Sequence, residues 1–427
     1  MNPTRHAEAS TSRRPSRIYR RVVGAVCRGR RVRWADVLLI AGFLAAISMP
    51  ILGMITGLDT GERLHENRRR VSPPSWPRNL GALAAFPRRF ESFFNDGFGF
   101  REPLIQWLSR AEVEGLGVSS SQQVIVGRAG WLFFAGLGAR EYLRATEPFR
   151  PEQLERWSGM FQERHDWLAA RGIRYLVVIV PNKATIYPEY LPASANRVGE
   201  RSRFDELLEY LARHSNVQVL DMRAAFLREK AKEQLYYRTD THWNGRGAYL
   251  GSAEIVRALS AWFPAMRPRP RSDYESVSLP HPGFDLAGML GLSDRLVDTA
   301  DELVDRAAPV VRKLPLECRM PRGSTELQRP FAMEREAPDL PRGVLFHDSF
   351  NVALRQFLPE HFRRLACVWK YTLDREVIER ENPDVVIQEL VERSLMWNIP
   401  EFRDDDEPNA TQVWLGPDRA DQSSRSR

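Results

Sequence analysis

The chain has 427 residues, 43% of them hydrophobic, enough for one large or two modest domains with buried cores. Its formal charge of +7 is unevenly spread: the first 33 residues hold ten arginines and one acid, and the chain after Arg33 carries a slight acidic excess. A body balanced in this way lacks the basic face that nucleic-acid binding requires, so no nucleic-acid partner is expected. Cys27, Cys318 and Cys367 form no CxxC and have no His at ligand spacing, so neither a metal nor another cofactor is expected.

Residues 1–33, rich in Arg, Ser and Gly, read as a basic arm. Val37 to Leu58 carries no charge and is bracketed by Asp36 and Asp59. About 20 apolar residues cross a hydrocarbon core, so a transmembrane helix is expected over 37–58. The arginines before it place the N-terminus in the cytoplasm and the body outside it. A cleaved signal peptide is the competing reading; the run exceeds the ~7–15 apolar residues of a leader, which favours an anchor. Beyond the membrane Cys318 and Cys367 could pair as a disulfide. Residues 62–79, with many Arg and Pro, read as a linker, and the body is expected over 80–400.

Within the body, Val124 to Phe134 reads as strand, turn, strand, with Gly127 and Gly130 in the turn. Leu154 to Arg171 is an amphipathic helix closed by Gly172. Tyr175 to Val180 is a short continuous apolar run, the pattern of a parallel strand buried on both faces. Asn182 and Lys183 lie just past its end, where open α/β sheets bind ligands; a capped loop explains them equally well. Phe204 to His214 reads as helix, Val217 to Leu220 as strand and Gly247 to Leu259 as helix. Residues 264–342, with much Pro and Arg, read as an irregular insertion or cap. Strand character returns at Val344 to Phe346, Ala366 to Trp369 and Asp384 to Leu390, with helices expected at Val352 to Phe362 and Val377 to Glu381. The tail over 404–427 is acidic, then Ser/Arg-rich, and reads as disordered. Alternating strands and helices of this kind make an α/β fold.

Two stretches carry chemistry. Tyr236 to Asn244 (YYRTDTHWN) puts Asp240 and His242 two positions apart, so that in a strand they would face one site together. A carboxylate beside an imidazole fixes its tautomer and supports its charge during proton transfer. Arg238, in the same run, is a candidate for substrate contact. Far downstream, Gly343 to Phe350 (GVLFHDSF) is an apolar run ending at Ser349 before a helix-like stretch, the setting of an exposed nucleophile. The Ser349 backbone N–H is a natural oxyanion donor, and Asn182 or Asn351 could supply a second. Each signal has a bland alternative: a serine after a strand can be a helix cap, and Asp-x-His can be a pair of metal ligands. Their joint presence favours nucleophilic catalysis by Ser349, His242 and Asp240.

Seven stretches resemble the alginate O-acetyltransferase family (AlgX/AlgJ-like), whose domain belongs to the SGNH-hydrolase superfamily. They are FFNDGFGFR (93–101), VIVGRAGWLFF (124–134), VVIVPNKATIYPEYLP (177–192), YYRTDTHWNGRGA (236–248), FDLAGMLGL (284–292), FHDSF (346–350) and PDVVIQELVERSL (383–395). The resemblance implies a flavodoxin-like α/β/α sandwich in which the Asp-x-His block precedes the nucleophile. Ser349 would be the nucleophile, His242 the general base and Asp240 its orienting acid. The implied activity is acetyl transfer to hydroxyls of an exported, alginate-like polysaccharide in the bacterial periplasm, through an acyl-serine. A multi-pass membrane acyltransferase of the MBOAT type would be the partner that supplies acetyl groups, and the anchor expected at 37–58 fits the AlgJ rather than the AlgX type. His347 stands where the superfamily's serine block has Gly, and the Asp-His pair has one spacer instead of two. No separate carbohydrate-binding domain is expected after the body. An acetylesterase using the same residues, or a non-catalytic polysaccharide-binding subunit, are the alternative functions.

Overall fold

The computed structural model describes residues 33–56, 71–97, 99–306, 311–320 and 324–397. The basic arm up to residue 32, part of the expected linker and the tail over 404–427 lie outside them. The described chain divides into two compact units, one reaching Arg101 and one beginning at Glu102. The expected start of the body, residue 80, thus falls inside the first unit.

In that first unit the uncharged run forms α1 (Trp34–Thr56), 23 residues with Pro50 inside. Its large side chains stand in solvent, Leu38 at 71% and Leu39 at 75% exposure. Among the described residues no helix is long and apolar enough to cross a membrane. Leu58 lies outside the described residues. Of the expected span over 37–58, residues 37–56 are helical, without the length and apolar character that a crossing requires. Residues 71–79 form neither helix nor strand, and α2 (Leu80–Gly97) follows. Phe86, Phe90 and Phe94, spaced by four, stack along one face of α2, as the helical period demands.

The second unit is a three-layer α/β/α sandwich. After a helical stretch that ends at Leu116 comes a hairpin, β1 (Val124–Val126) and β2 (Leu132–Phe134). Gly130 turns it with φ +76, a conformation that costs glycine little. Gly127 is required by space instead, since a Cβ there would sit 2.6 Å from the Tyr190 carbonyl oxygen. Helix α3 (Pro151–Ala169) leads into β3 (Arg174–Val180), and α4 (Arg203–His214) into β4 (Gln218–Asp221). After α5 (Gly245–Ser260) comes the insertion, then β9 (Arg342–Phe346), β10 (Arg364–Val368), α8 (Arg375–Glu381) and β11 (Val385–Val391).

The main sheet has seven strands in the order β4-β3-β11-β9-β10, then β8 (Phe331–Glu334) and β7 (Arg312–Pro315), and its first five are parallel. Strand β3 shows why these runs are continuously apolar. Leu176, Val178 and Val180 enter one core with α5, while Tyr175, Val177 and Ile179 enter the other with α3 and α4. Burying each such aliphatic side chain contributes about 1.5–3 kcal/mol. The expected strands and helices from Leu154 to Leu259 recur within a few residues of their predicted ends.

Three expectations fail. The insertion is more regular than its composition suggests: β5 (Tyr274–His281) pairs with β6 (Asp298–Asp305) across α6 (Asp285–Met289), while β7 (Arg312–Pro315) and β8 (Phe331–Glu334) join the main sheet. Strands such as DTADELVD are held by backbone ladders and offer little apolar periodicity. The helix expected over 352–362 is cut to α7 (Asn351–Leu354), and a short 3-10 turn begins at Pro359, which lacks the N–H a longer helix needs. Cys318 and Cys367 are both free thiols, Cys367 buried within β10.

Candidate active site

The carboxyl ends of β3, β11 and β9 lie side by side, and each delivers polar residues to one place. At the end of β9, Asp348 is buried and shapes the turn. Its Oδ1 accepts the Phe350 N–H at 2.9 Å, and its Oδ2 accepts the Val391 N–H at 3.0 Å. Glu389 Oε2 accepts the Asp348 N–H at 3.0 Å. Burial, with Asp348 next to it, pushes the Glu389 carboxyl well above the usual range. This clamp ties the nucleophile turn to β11. Ser349 projects from it half-buried. The helix expected to assist Ser349 is the four-residue α7, too short to supply a useful dipole, so the backbone N–H at Ser349 is the donor left to that turn.

His347, in the Gly position of the superfamily, is buried and contacts the Asp348 carbonyl through Nδ1. Burial pushes its pKa down to about 3; it is a neutral core residue, not a second base.

Asp240 and His242 do not sit on a strand. Tyr236 and Trp243 form an isolated antiparallel bridge, and the residues between them make a bent loop. Asp240 Oδ1 accepts both the His242 backbone N–H at 2.8 Å and the imidazole Nδ1–H at 2.7 Å. His242 Nε2 lies 2.7 Å from Ser349 Oγ. With Nδ1 donating, Nε2 is the lone pair that can take the serine proton. Burial would pull the His242 pKa down, but the bond to Asp240 and its charge win and raise it. For Asp240, burial pushes upward and the His242 bond and charge pull its pKa below the usual carboxylate value.

The loop is held from several sides. Thr239 gives its N–H and hydroxyl to buried Asp298, at 2.7 and 2.8 Å. The Thr239 carbonyl accepts the Leu286 N–H, and Asp285 Oδ1 accepts the Thr241 N–H at 2.8 Å. Asn244 then caps α5 by accepting from Arg246 and Gly247. Beneath the loop Lys183 Nζ donates to the carbonyls of Tyr237, Arg238 and Asp240 at 3.0, 3.0 and 2.5 Å.

The remaining predicted residues separate. Lys183 has all three N–H bonds engaged by the loop, which leaves none for a substrate or oxyanion. Asn182 accepts from Arg393 through Oδ1 at 3.2 Å and donates its backbone N–H to Glu392 at 2.8 Å; its amide NH2 remains as a donor. Asn351 is 1% exposed and packs by the Cys367 thiol, so it belongs to the core and has no face toward a ligand. The Arg238 side chain is 39% exposed, with Nε 3.8 Å from Asp298, and stays available at the loop surface.

Sequence reasoning missed Asp285, Asp298, Glu389, Glu392 and Arg393. The last three had a signal: acids and an arginine in an otherwise apolar, buried run at 385–393 need a polar purpose. Asp285 Oδ2 lies 4.0 Å from His242 Nδ1, and burial together with Asp240 raises its pKa. One ligand atom each from Asp240, His242 and Asp285 fall within 4.8 Å of one another. A cation there would compete with the Asp240–His242 hydrogen bond, so these residues do not fit a resident metal.

The chain is similar to known proteins over part of its length. Residues 124–313 match the family described as SGNH hydrolase-like domain, acetyltransferase AlgX; the match includes Asp240, His242 and Asp285 and ends before Ser349. The chain is 32% identical over 145 residues to the probable alginate O-acetylase AlgJ of Pseudomonas putida, covering 32% of this chain and 34% of that protein. It is 24% identical over 207 residues to the AlgJ of Azotobacter vinelandii, covering 43% and 51%. The matches thus span about a third to a half of those relatives' length. Among solved structures, Bacillus cereus PatB1 gives a TM-score of 0.48 at 13% identity, covering 64% of this chain and 96% of that one. The O-acetyltransferase domain of P. putida AlgJ gives 0.45 at 20%, covering 66% and 95%. Over residues 124–313 the chain is thus similar to the SGNH hydrolase-like domain of acetyltransferase AlgX, and over about a third of its length to the AlgJ proteins.

Proposed function

We propose that this protein is a periplasmic O-acetyltransferase that acetylates hydroxyls of an exported, alginate-like polysaccharide. The observation that carries the reading is the continuous relay Asp240–His242–Ser349, with 2.7 Å at both of its links. Ser349 Oγ attacks the acetyl carbonyl of the donor as His242 Nε2 takes the hydroxyl proton. The imidazolium is supported by Asp240, and the oxyanion is met by the Ser349 N–H. Collapse expels the leaving group, which takes the proton from His242, and leaves an acetyl-serine. A sugar hydroxyl then gives its proton to His242, attacks the ester, and Ser349 recovers a proton as the acetyl leaves. No metal or cofactor enters these steps.

The location in this reading is argued from α1. Its apolar side chains are exposed on every side among the described residues, an arrangement suited to lipid, and arginines precede it. In this reading α1 anchors the chain in the inner membrane, with the arm cytoplasmic and the catalytic unit periplasmic. A multi-pass MBOAT-type acyltransferase is the expected source of acetyl groups.

The test is intact mass after incubation with 4-nitrophenyl acetate. A single acetyl adduct on Ser349, transferred to added oligosaccharide, is the expected result. Release to water alone in the presence of oligosaccharide points to an esterase. A folded protein that forms no adduct, or a Ser349→Ala variant that still turns over, defeats the reading.

A further inference from the structure

Lys183 is 4% exposed, a rare position for a lysine. It stands just past the end of β3, between the hairpin and the loop. The rings of Trp131 and Phe133 lie 5.6 and 5.3 Å from Nζ. On the other side its three N–H bonds meet the three carbonyls of Tyr237, Arg238 and Asp240. The Arg238 carbonyl also accepts the Leu132 N–H at 2.9 Å, so hairpin, lysine and loop form one unit. Three of the four residues from Tyr237 to Asp240 are gripped by one atom, and the last of them carries the acid of the relay.

We propose that Lys183 is a positioning residue: its ammonium, by donating to these three carbonyls, sets the loop in the conformation that brings Asp240 and His242 to Ser349. The inference rests on the catalytic reading of those three residues. The match is chemical as well as spatial. An ammonium presents three donors in a cone, whereas a guanidinium presents a planar fork. A neutral amine has two N–H bonds and turns its lone pair toward the third carbonyl, which loses one bond and adds repulsion. Protonation of Lys183 therefore controls the loop. Burial pulls its pKa down to about 7, against the opposing carboxylates of Asp240, Asp285 and Asp298. The hairpin contributes no ionised group to this contact, only its rings. As pH rises through that value the lysine loses its proton and the loop loosens. Turnover thus gains an alkaline limb, in addition to the acid limb set by His242.

The experiment uses the full-length protein and 4-nitrophenyl acetate. In Lys183→Met, kcat falls by roughly 100-fold, the scale of a small misplacement of catalytic groups. KM changes by less than about twofold, and the alkaline limb disappears while the acid limb remains. In Lys183→Ala, n-propylammonium restores turnover by about 10-fold or more and n-propanol does not. The second variant carries the test if the first fails to fold, as judged by near-UV circular dichroism. Wild-type kcat with an unchanged alkaline limb in Lys183→Met, or Lys183→Ala that the amine does not rescue, overturns the inference. If Ser349→Ala retains turnover, the catalytic reading itself fails; if Ser349→Ala is dead and Lys183→Met behaves as wild type, only the role of Lys183 fails.

Discussion

The proposed nucleophile and its proposed base are held in opposite ways. Ser349 extends from a strand inside the sheet, and its turn is fixed by Asp348 and by the neighbouring strand β11. His242 hangs on a bent loop whose only ladder contact is the bridge between Tyr236 and Trp243. What holds that loop is a set of bonds from elsewhere: the Leu132 and Leu286 N–H groups, Lys183 below, and Asp298 and Asp285 from the insertion. Secondary structure fixes one partner, and long-range polar bonds fix the other. The base is therefore the partner more sensitive to changes at a distance.

Substitutions can break this contrast in graded steps. Ser349→Ala removes the nucleophile and lowers turnover by roughly 10⁴-fold or more with the fold intact, checked by steady-state kinetics and circular dichroism. Asp240→Asn comes next, at roughly 10³–10⁴-fold, because the imidazole loses its tautomer and its counter-charge. It also shifts the pH profile. His242 must be neutral to act, so activity climbs as pH rises through its raised pKa; with Asp240 neutral that limb moves down, and a kcat/KM profile that stays put sinks the assignment.

Asp298→Ala tests the loop rather than the relay. It leaves the buried Thr239 N–H and hydroxyl without their acceptor and costs about 1–3 kcal/mol for each group. Turnover drops by about 10-fold, well short of the triad variants, as the loop wanders; thermal denaturation and kinetics measured together check both effects. Ile387→Ala, in the centre of β11, sharpens the comparison from the other side. It destabilises the fold by about 2–5 kcal/mol through the cavity it leaves. Its effect on kcat well below the melting temperature is the smallest of the four, since Ser349 and Asp348 keep their own bonds.

The parallel core was legible because strands buried on both faces must be continuously apolar, as at Tyr175 to Val180 and Val385 to Ile387. Ser349 was legible for a related reason: an apolar run that stops at Asp-Ser advertises a strand end. The loop was half legible. Its residue types announced acid–base chemistry, but the premise of a strand was wrong, because the loop's shape comes from Lys183 and Asp298, more than 50 residues away on either side. Asp285 was hidden in the insertion, whose strands pair through backbone and leave no periodic trace. The insertion that looked like a cap turns out to supply the outer wall of the base.

The position of β11 has a consequence for how the molecule comes into being. It is the last strand among the described residues, yet it lies between β3 and β9. Until residues 385–391 are in place, β3 and β9 each present an open edge to the gap, and such edges invite pairing with the wrong partner. A chain made from its N-terminus can assemble β3 with β4, and β9 with β10, as separate pieces. Only insertion of β11 completes the sheet around the turn at Ser349. The arrangement of Ser349 with His242 is thus deferred until residues 385–391 have been made, and a chain truncated before residue 385 is left with two half-sheets and unprotected edges.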